Sequence, residues 1–244
     1  MENTSNNNLD NPRNKWKQTD QFMITPRSAR GTKNQTQAPT GGQLIVITGD
    51  VSSGKSKILE RFVYNRFGEK TQPTIGVEFI PKNIEMLDGS KVRLQLWDTA
   101  GSEKYRSITT GHYRNAVGAV LVYDISNAES FYNLNTWLEE LRAVADEHIV
   151  IALLPNKCDI MFKSPEQREV IKELGMLFAR DNHLIYIDEC SALADIGIKE
   201  LFTTMVEGII RVQNELVRQG VKDKRMLKLR DEDTSLHYSH RCCY

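Results

Sequence analysis

The chain has little of what marks several large classes of protein. Its polar start lacks the apolar stretch of a secretory signal, and no apolar run is long enough to cross a membrane, so neither a secreted nor a membrane-spanning protein is expected. The 32 basic and 32 acidic side chains cancel, which gives no bulk argument for a nucleic-acid partner. The 4 cysteines show neither a zinc-ligand spacing nor a disulfide framework. Function must therefore be sought in local motifs.

A glycine-rich segment predicts a phosphate-binding loop. It follows the apolar, β-branched stretch 43–48, precedes a stretch of helical spacing at 55–66, and reads Gly49-Asp50-Val51-Ser52-Ser53-Gly54-Lys55-Ser56. The glycines let backbone N–H groups surround phosphate oxygens, Lys55 adds a positive charge, and the Ser56 hydroxyl suits Mg²⁺. The same spacing also arises by chance, so the loop alone indicates a nucleotide without saying which one.

Strand and helix patterns alternate through the middle of the chain. Strands are predicted at 43–48, 77–87, 91–98, 117–124, 149–155 and 184–188, and helices at 55–66, 130–145, 166–180 and 197–217. Asp88-Gly89 predicts a hairpin that makes the second and third strands antiparallel. The other strands are expected to be parallel and doubly wound, with the ligand at their carboxyl ends. The predicted fold class is therefore α/β, a mixed, mostly parallel six-stranded sheet with about five helices.

Both ends of the chain differ in composition from its middle. Residues 1–42 are polar, and we expect them to be a disordered extension in which Trp16 and the stretch 22–24 are either a short docking motif or stray apolar residues. Residues 43–212 form the predicted domain. Residues 213–244 are expected to be a hypervariable tail, acting either as a solvated linker or as a basic segment for an anionic membrane surface.

Four further segments follow the phosphate loop in a fixed order. They are Thr74, Asp98-Thr-Ala-Gly101, Asn156-Lys-Cys-Asp159 and Cys190-Ser-Ala192. In this order and at these intervals they resemble the nucleotide-contact segments of the Ras superfamily of small GTPases. Landmarks similar to Rab proteins, the vesicle-traffic branch, are Ile75-Gly-Val-Glu-Phe79, Leu94-Gln-Leu-Trp-Asp98, Tyr105-Arg-Ser-Ile-Thr109 and Leu121-Val-Tyr-Asp-Ile125. The resemblance covers residues 43–212 and implies the Ras-like G-domain fold.

The resemblance implies that the bound base is guanine. Asp159 would accept hydrogen bonds from guanine N1–H and the exocyclic amine, Asn156 would brace the loop, and Lys157 would lie along the ring. The other residues with implied base contacts are Phe67, Ser191, Ala192 and Leu193. Leu193 replaces a common Lys and Pro155 a common Gly, and we expect both departures to change affinity rather than base choice. A P-loop ATPase is the alternative from another class, and ATP would then compete for the site.

The resemblance also implies a switch that senses the γ-phosphate of GTP. Thr74 would place its hydroxyl on Mg²⁺ and its N–H on the γ-phosphate, and Gly101 would donate its N–H to the same phosphate. Asp98 would hold Mg²⁺ through water, beside Ser56. After hydrolysis to GDP both loops lose that phosphate as a partner and relax.

Hydrolysis is the step at which the sequence departs from the family. Ser102 stands at the catalytic position where relatives carry a Gln that orients the attacking water, and a serine hydroxyl is too short for that role. Val51 adds methyl groups beside the same water, with a smaller effect. We therefore expect slow intrinsic hydrolysis. Rescue by an activating protein that supplies its own arginine and glutamine stays open, and so does a non-hydrolysing GTP-bound scaffold of the same fold.

Partner surfaces follow from the same resemblance. The implied effector face comprises Ile75, Gly76, Val77, Glu78, Phe79, Trp97 and His112. His112 stands where the family has Tyr, and it either alters this face or is a polar substitution without consequence. The expected partners are a guanine-nucleotide exchange factor, a GTPase-activating protein, Rab escort protein, a GDP-dissociation inhibitor and effector proteins, with no nucleic acid among them.

The four cysteines divide into two pairs. Cys158 and Cys190 lie within the nucleotide-contact segments, where small buried residues are expected. Cys242 and Cys243 resemble the double geranylgeranyl site of Rab proteins, although a free reactive pair is the alternative. Two lipid chains suffice for stable anchoring where one does not. The expected location is therefore the cytoplasmic face of a vesicle or organelle membrane, in exchange with the cytosol.

Overall fold

One mixed sheet carries the fold in the computed structural model, which describes residues 42–68, 74, 76–101 and 111–221. Its strands are β1 (Gln43–Thr48), β2 (Val77–Glu85), β3 (Lys91–Thr99), β4 (Gly118–Asp124), β5 (Val150–Asn156) and β6 (Ile185–Tyr186). They lie in the order β2-β3-β1-β4-β5-β6, with β2 antiparallel to β3 and the other neighbours parallel. The predicted class, a six-stranded and mostly parallel α/β sheet, is confirmed.

The hairpin between β2 and β3 turns at Asp88-Gly89, as predicted. Gly89 has φ +79°, a left-handed conformation that glycine adopts without steric cost, and its N–H donates to the Met86 carbonyl over 3.0 Å. The Asp88 carboxylate accepts the Ser90 N–H at 2.9 Å. These local bonds bring β2 back along β3, although β2 ends at Glu85, two residues before the predicted end of the strand.

Helices connect the parallel strands, and two of them differ in extent from the prediction. Their bounds are α1 (Lys55–Tyr64), α2 (Ala128–Tyr132), α3 (Leu134–Val144), α4 (Ile160–Lys163), α5 (Lys172–Asp181) and α6 (Ile198–Arg218). The helix predicted at 130–145 is divided at Asn133, because Asn127 caps a separate α2 by accepting the Ser130 N–H at 3.2 Å. The helix predicted at 166–180 begins only at Lys172, because Pro165 opens a separate 3₁₀ turn.

The last helix extends beyond the predicted end of the domain. Gln213 and Leu216 of α6 are buried, so the boundary predicted at 212 falls inside the helix. The helix stops where Gly220 adopts φ +75° and the Val221 N–H bonds to the Leu216 carbonyl over 2.9 Å. Among the residues that the structure describes, no helix combines the length and the apolar character that crossing a membrane requires.

Two apolar layers cover the two faces of the sheet. Ile45 belongs to the layer beneath α1 and α6, and its neighbour Val46 belongs to the layer beneath α3 and α5, because successive side chains of a strand point to opposite faces. This explains why β1 is apolar at nearly every position. At Gly118 an added Cβ would lie 2.8 Å from Met205 Cε, so glycine allows α6 to approach β4 closely. Because β1, β3, β4, β5 and β6 run parallel, their carboxyl ends lie at the same edge of the sheet.

The buried position of Leu96 can be tested against an exposed leucine of the same protein. Leu96→Ala is expected to lower the free energy of unfolding by about 2–5 kcal/mol, because the side chain is fully buried in β3 and its loss leaves a cavity. Leu87→Ala makes the same chemical change on a side chain that is 96% exposed, and we expect a change of less than about 0.5 kcal/mol. Urea unfolding at a fixed nucleotide concentration measures both values. Equal losses would contradict the placement of Leu96 in the core.

Candidate functional site

The loop between β1 and α1 has a backbone path that depends on two glycines. Gly49 has φ +135° and Gly54 has φ +100°. A Cβ at Gly49 would lie 2.2 Å from the Val122 carbonyl oxygen, and a Cβ at Gly54 would lie 2.2 Å from Asn156 Nδ2. Glycine is therefore needed at both places for space as well as for conformation. The loop leads directly into the first turn of α1, whose exposed N–H groups and dipole favour an anion.

Lys55 returns its side chain over this loop. Its Nζ donates to the carbonyl oxygens of Gly49 at 2.8 Å and Asp50 at 2.7 Å, and only 6% of the residue is exposed. Burial lowers the pKa of Lys55 from 10.5 to about 8, against the opposing effect of the Asp98 and Asp50 carboxylates. An ammonium group thus lies desolvated at the mouth of the loop, where a phosphate would offset its loss of water.

Three oxygen-bearing side chains gather beside Lys55. Ser56 Oγ lies 2.9 Å from Thr74 Oγ1. Asp98, at the end of β3, is 2% exposed, and its Oδ1 is buried without a hydrogen-bond partner among the described residues. Burial raises the pKa of Asp98, while the Ser56 hydroxyl and the Lys55 ammonium act in the opposite direction. Hydroxyl and carboxylate oxygens are ligands that Mg²⁺ accepts, so this set fits the ion directly or through water.

The segment after β3 lies directly on the phosphate loop. A Cβ at Gly101 would be 2.4 Å from the Val51 backbone nitrogen and 2.6 Å from Lys55 Nζ, so any larger residue would displace one of them. Val51 itself is 48% exposed. Ser102, the predicted catalytic position, lies outside the described residues. The structure therefore brings Gly101 to the loop without describing the next residue.

The base segment at the end of β5 is joined to the phosphate loop. Asn156 is 2% exposed, and its Nδ2 donates to the Ser53 carbonyl over 2.8 Å. Asp159 Oδ1 accepts the Ser191 hydroxyl at 2.5 Å. The Cys158 N–H also donates to the carbonyl of Cys190 over 3.0 Å. These bonds unite the two predicted base segments and fix them relative to the phosphate loop.

The two cysteines of these segments are buried, as predicted. Cys158 is 8% exposed and Cys190 is fully buried, and both are free thiols. Burial raises the pKa of Cys158 to about 11 and that of Cys190 well above its usual value. Both side chains therefore stay protonated at neutral pH.

Two contacts of the base segments were missed from sequence. Lys157, at φ +71°, places its Nζ 2.6 Å from Asp124 Oδ2. Asp124 and Asn156 are register partners at the ends of β4 and β5, so the strand pattern contained a signal for this neighbour. Arg61 of α1 donates from Nε to the Ala192 carbonyl at 3.0 Å and from Nη2 to the carbonyl of the next residue, Leu193, at 3.3 Å. No motif marks Arg61.

Phe67 follows α1 and is held by its neighbours. The Lys57 ammonium lies 5.1 Å from the centre of the Phe67 ring, donates to the Gly68 carbonyl at 2.7 Å, and pairs with Glu60 Oε2 at 2.7 Å. The ring also packs against the apolar layer beneath α1 and α6. These contacts hold the Phe67 ring next to α1.

The three rings assigned from sequence to a predicted effector face lie together. The Trp97 ring centre lies 5.3 Å from that of Phe79 and 4.3 Å from that of His112. Burial lowers the pKa of His112, so its imidazole is neutral at neutral pH. The other described members of this face, Gly76, Val77 and Glu78, lie at the start of β2, and Ile75 lies outside the described residues.

Comparisons with known proteins agree on one family. A family model described as "Ras family" matches residues 44–211. The chain is 46% identical over 167 residues to the GTP-binding protein ypt3 of Schizosaccharomyces pombe, which covers 68% of this chain and 75% of that protein. It is 43% identical over 171 residues to Ras-related protein Rab11A of Lotus japonicus, and the match covers 70% of this chain and 73% of that protein. It is 42% identical over 170 residues to Ras-related protein RGP2 of Oryza sativa subsp. japonica, and the match covers 70% of this chain and 76% of that protein.

The pKa of Lys55 predicts how nucleotide affinity changes with pH. A phosphate stabilises the charged ammonium of Lys55. Binding therefore takes up a proton once the pH exceeds the pKa of Lys55 in the protein without nucleotide, which is about 8. The affinity for GDP is therefore expected to fall by about fivefold to tenfold between pH 8 and pH 9. Titration with a fluorescent GDP analogue at several pH values measures this slope.

The matched variant for this titration is Lys55→Met, which retains an unbranched side chain without the charge. It should bind more weakly and lose the pH dependence in the same window. If the variant and the unchanged protein have the same slope, another group is responsible for the titration.

Proposed function

Because the chain belongs to the Ras family, and within it to the Rab-like small GTPases, we propose that it is a switch of vesicle traffic that binds and hydrolyses GTP and recruits effector proteins while GTP is bound. The curated names of its relatives support this function, since one is called a GTP-binding protein and another Ras-related Rab11A.

The observation that carries the proposal is the bond between Asn156 and the Ser53 carbonyl. It joins a base-binding segment to a phosphate-binding loop at one edge of the sheet. A ligand that spans both must carry a base at one end and phosphates at the other, as a nucleotide does. Lys55 and the N-terminus of α1 then match the phosphates, and the oxygens of Ser56, Thr74 and Asp98 match Mg²⁺.

Guanine is the base that this site favours. The Asp159 carboxylate presents acceptors to the donor pair on guanine, while adenine offers no such pair at that edge. Ser191 holds the carboxylate in place through the 2.5 Å bond from its hydroxyl. Arg61 fixes the Ala192 carbonyl. The backbone N–H of Ala192 is the proposed donor to the guanine oxygen. The proposed ligands are accordingly GTP and GDP with Mg²⁺.

Hydrolysis to GDP is the proposed reaction, with a low intrinsic rate. Positioning and charge stabilisation supply most of the rate in this family, and Lys55, Gly101 and Thr74 are the residues proposed for that role. Ser102 lacks the length to orient water against the γ-phosphate. An activating protein that contributes an arginine and a glutamine would restore the missing contacts. The second candidate, a GTP-bound scaffold that does not hydrolyse, is favoured by Ser102 and by the exposed Val51 side chain above the loop.

The cycle also needs partners and a membrane. The proposed partners are an exchange factor, an activating protein, an escort protein, a GDP-dissociation inhibitor and effectors that contact the cluster of Phe79, Trp97 and His112. Cys242 and Cys243 lie outside the described residues and are the proposed sites of two geranylgeranyl groups. The protein would then cycle between the cytosol and the cytoplasmic face of an organelle or vesicle. The tail at 1–42 has no assigned role in this cycle.

Guanine selection can be tested by exchanging one carboxylate. Asp159→Asn is expected to weaken GDP binding by at least about a hundredfold and to improve binding of xanthosine diphosphate, because an amide reverses the donor and acceptor pattern. Asp195→Asn is the matched control, since Asp195 is exposed and its φ of +58° suits asparagine. Competition against a fluorescent GDP analogue measures both affinities. Unchanged GDP affinity in Asp159→Asn would remove the guanine assignment.

The slow rate can be tested at the departed catalytic position. Ser102→Gln is expected to raise single-turnover phosphate release from the GTP-loaded full chain by about tenfold or more, because it restores a water-orienting amide. Ser102→Ala should leave the rate near its starting value. A separate reaction adds an activating domain that supplies arginine and glutamine to the unchanged protein. If GTP binds tightly and neither treatment accelerates release, the scaffold replaces the hydrolysing switch.

A further inference from the structure

The carboxylate of the phosphate loop is bound by two neutral donors from outside the loop. Trp137 Nε1 donates to Asp50 Oδ1 over 2.6 Å, and Asn133 Nδ2 donates to Asp50 Oδ2 over 2.7 Å. The backbone carbonyl of Asp50 meanwhile accepts from Lys55 at 2.7 Å. Asp50 thus contacts the start of α3 with its side chain and the phosphate-binding lysine with its main chain.

A carboxylate at this position is an electrostatic difficulty for a site that binds polyphosphate. It repels the phosphates, and it attracts the ammonium that those phosphates need, since the charge of Asp50 raises the pKa of Lys55. Two hydrogen bonds to a carboxylate are strong enough to determine its orientation. The carboxylate is therefore harmless only while its donors occupy both oxygens.

The donors are themselves held rigidly. Trp137 is 1% exposed and packs in the apolar layer with Leu134 and Leu141, so its indole cannot turn away without opening the core. Asn133 lies at the junction of α2 and α3, where its N–H donates to the Glu129 carbonyl over 2.9 Å. Both donors are consequently fixed by contacts within the protein.

We propose that Trp137 and Asn133 are positioning residues of the nucleotide site, which hold the Asp50 carboxylate against α3 so that Lys55 stays available to phosphate. This inference rests on the proposed function, because it concerns the same nucleotide. Trp137, a residue of the apolar layer, would thereby affect how long the nucleotide stays bound. Both residues act through Asp50.

A double-mutant cycle on the full chain tests the inference. Trp137→Phe removes the N–H and retains a ring in the core, and it is expected to speed release of a fluorescent GDP analogue about tenfold, because the freed carboxylate then competes for Lys55. In the Asp50→Asn background there is no charge to restrain, and the same substitution should change the release rate by less than about twofold. A similar acceleration in both backgrounds would mean that Trp137 matters only for packing, and no acceleration in either would also overturn the inference.

A second pair of variants keeps the test decisive if Trp137→Phe does not fold. Asn133→Asp places two carboxylates together and should accelerate release more than Trp137→Phe does. Combining it with Asp50→Asn exchanges donor and acceptor across the same contact and should recover most of the lost residence time. If the combination is as fast as Asn133→Asp alone, the contact does not act through Asp50.

The controls separate this inference from the proposed function. A wild-type chain that fails to bind the GDP analogue contradicts the proposed function and leaves no release rate to compare. A wild-type chain that binds it, with release unchanged by every variant, contradicts the positioning role alone. Release of a fluorescent GMP analogue gives a further readout, because the competition concerns the outer phosphates and should affect GDP more than GMP.

Discussion

The burial of one ammonium group governs the arrangement of this site. Lys55 donates to two loop carbonyls, and its pKa is lowered because burial removes the hydration of the ammonium group. The glycine backbone provides those carbonyls, and the carboxylates of Asp98 and Asp50 lie near enough to oppose the loss of charge. A phosphate beside this ammonium would offset its loss of hydration.

The sheet determines where that ammonium can act. Parallel strands end at one edge, so the loop after β1, the segment after β3 and the segment after β5 converge there without long connections. The bond from Asn156 to the Ser53 carbonyl shows how short the separation is. The segments predicted to bind base and phosphate are therefore joined at one edge of the sheet.

The sequence was sufficient for the fold class. The antiparallel pair followed from the Asp88-Gly89 turn, and the parallel strands followed from the alternation of strand and helix patterns, because both depend on local backbone chemistry. It was insufficient where a local cap divides a helix, as Asn127 does ahead of Asn133. It was equally insufficient for Arg61 and Trp137, since a charged or aromatic residue at helical spacing looks like any surface or core position. Those roles arise from contacts across large sequence separations.

Arg61 gives α1 a structural role beyond packing against the sheet. The helix begins at Lys55 in the phosphate loop and places Arg61, six residues later, beside the carbonyls of Ala192 and Leu193. At 1.5 Å per residue Lys55 and Arg61 are about 9 Å apart along the helix, so α1 connects the loop after β1 rigidly to the segment after β6. A displacement of α1 would therefore move both segments together.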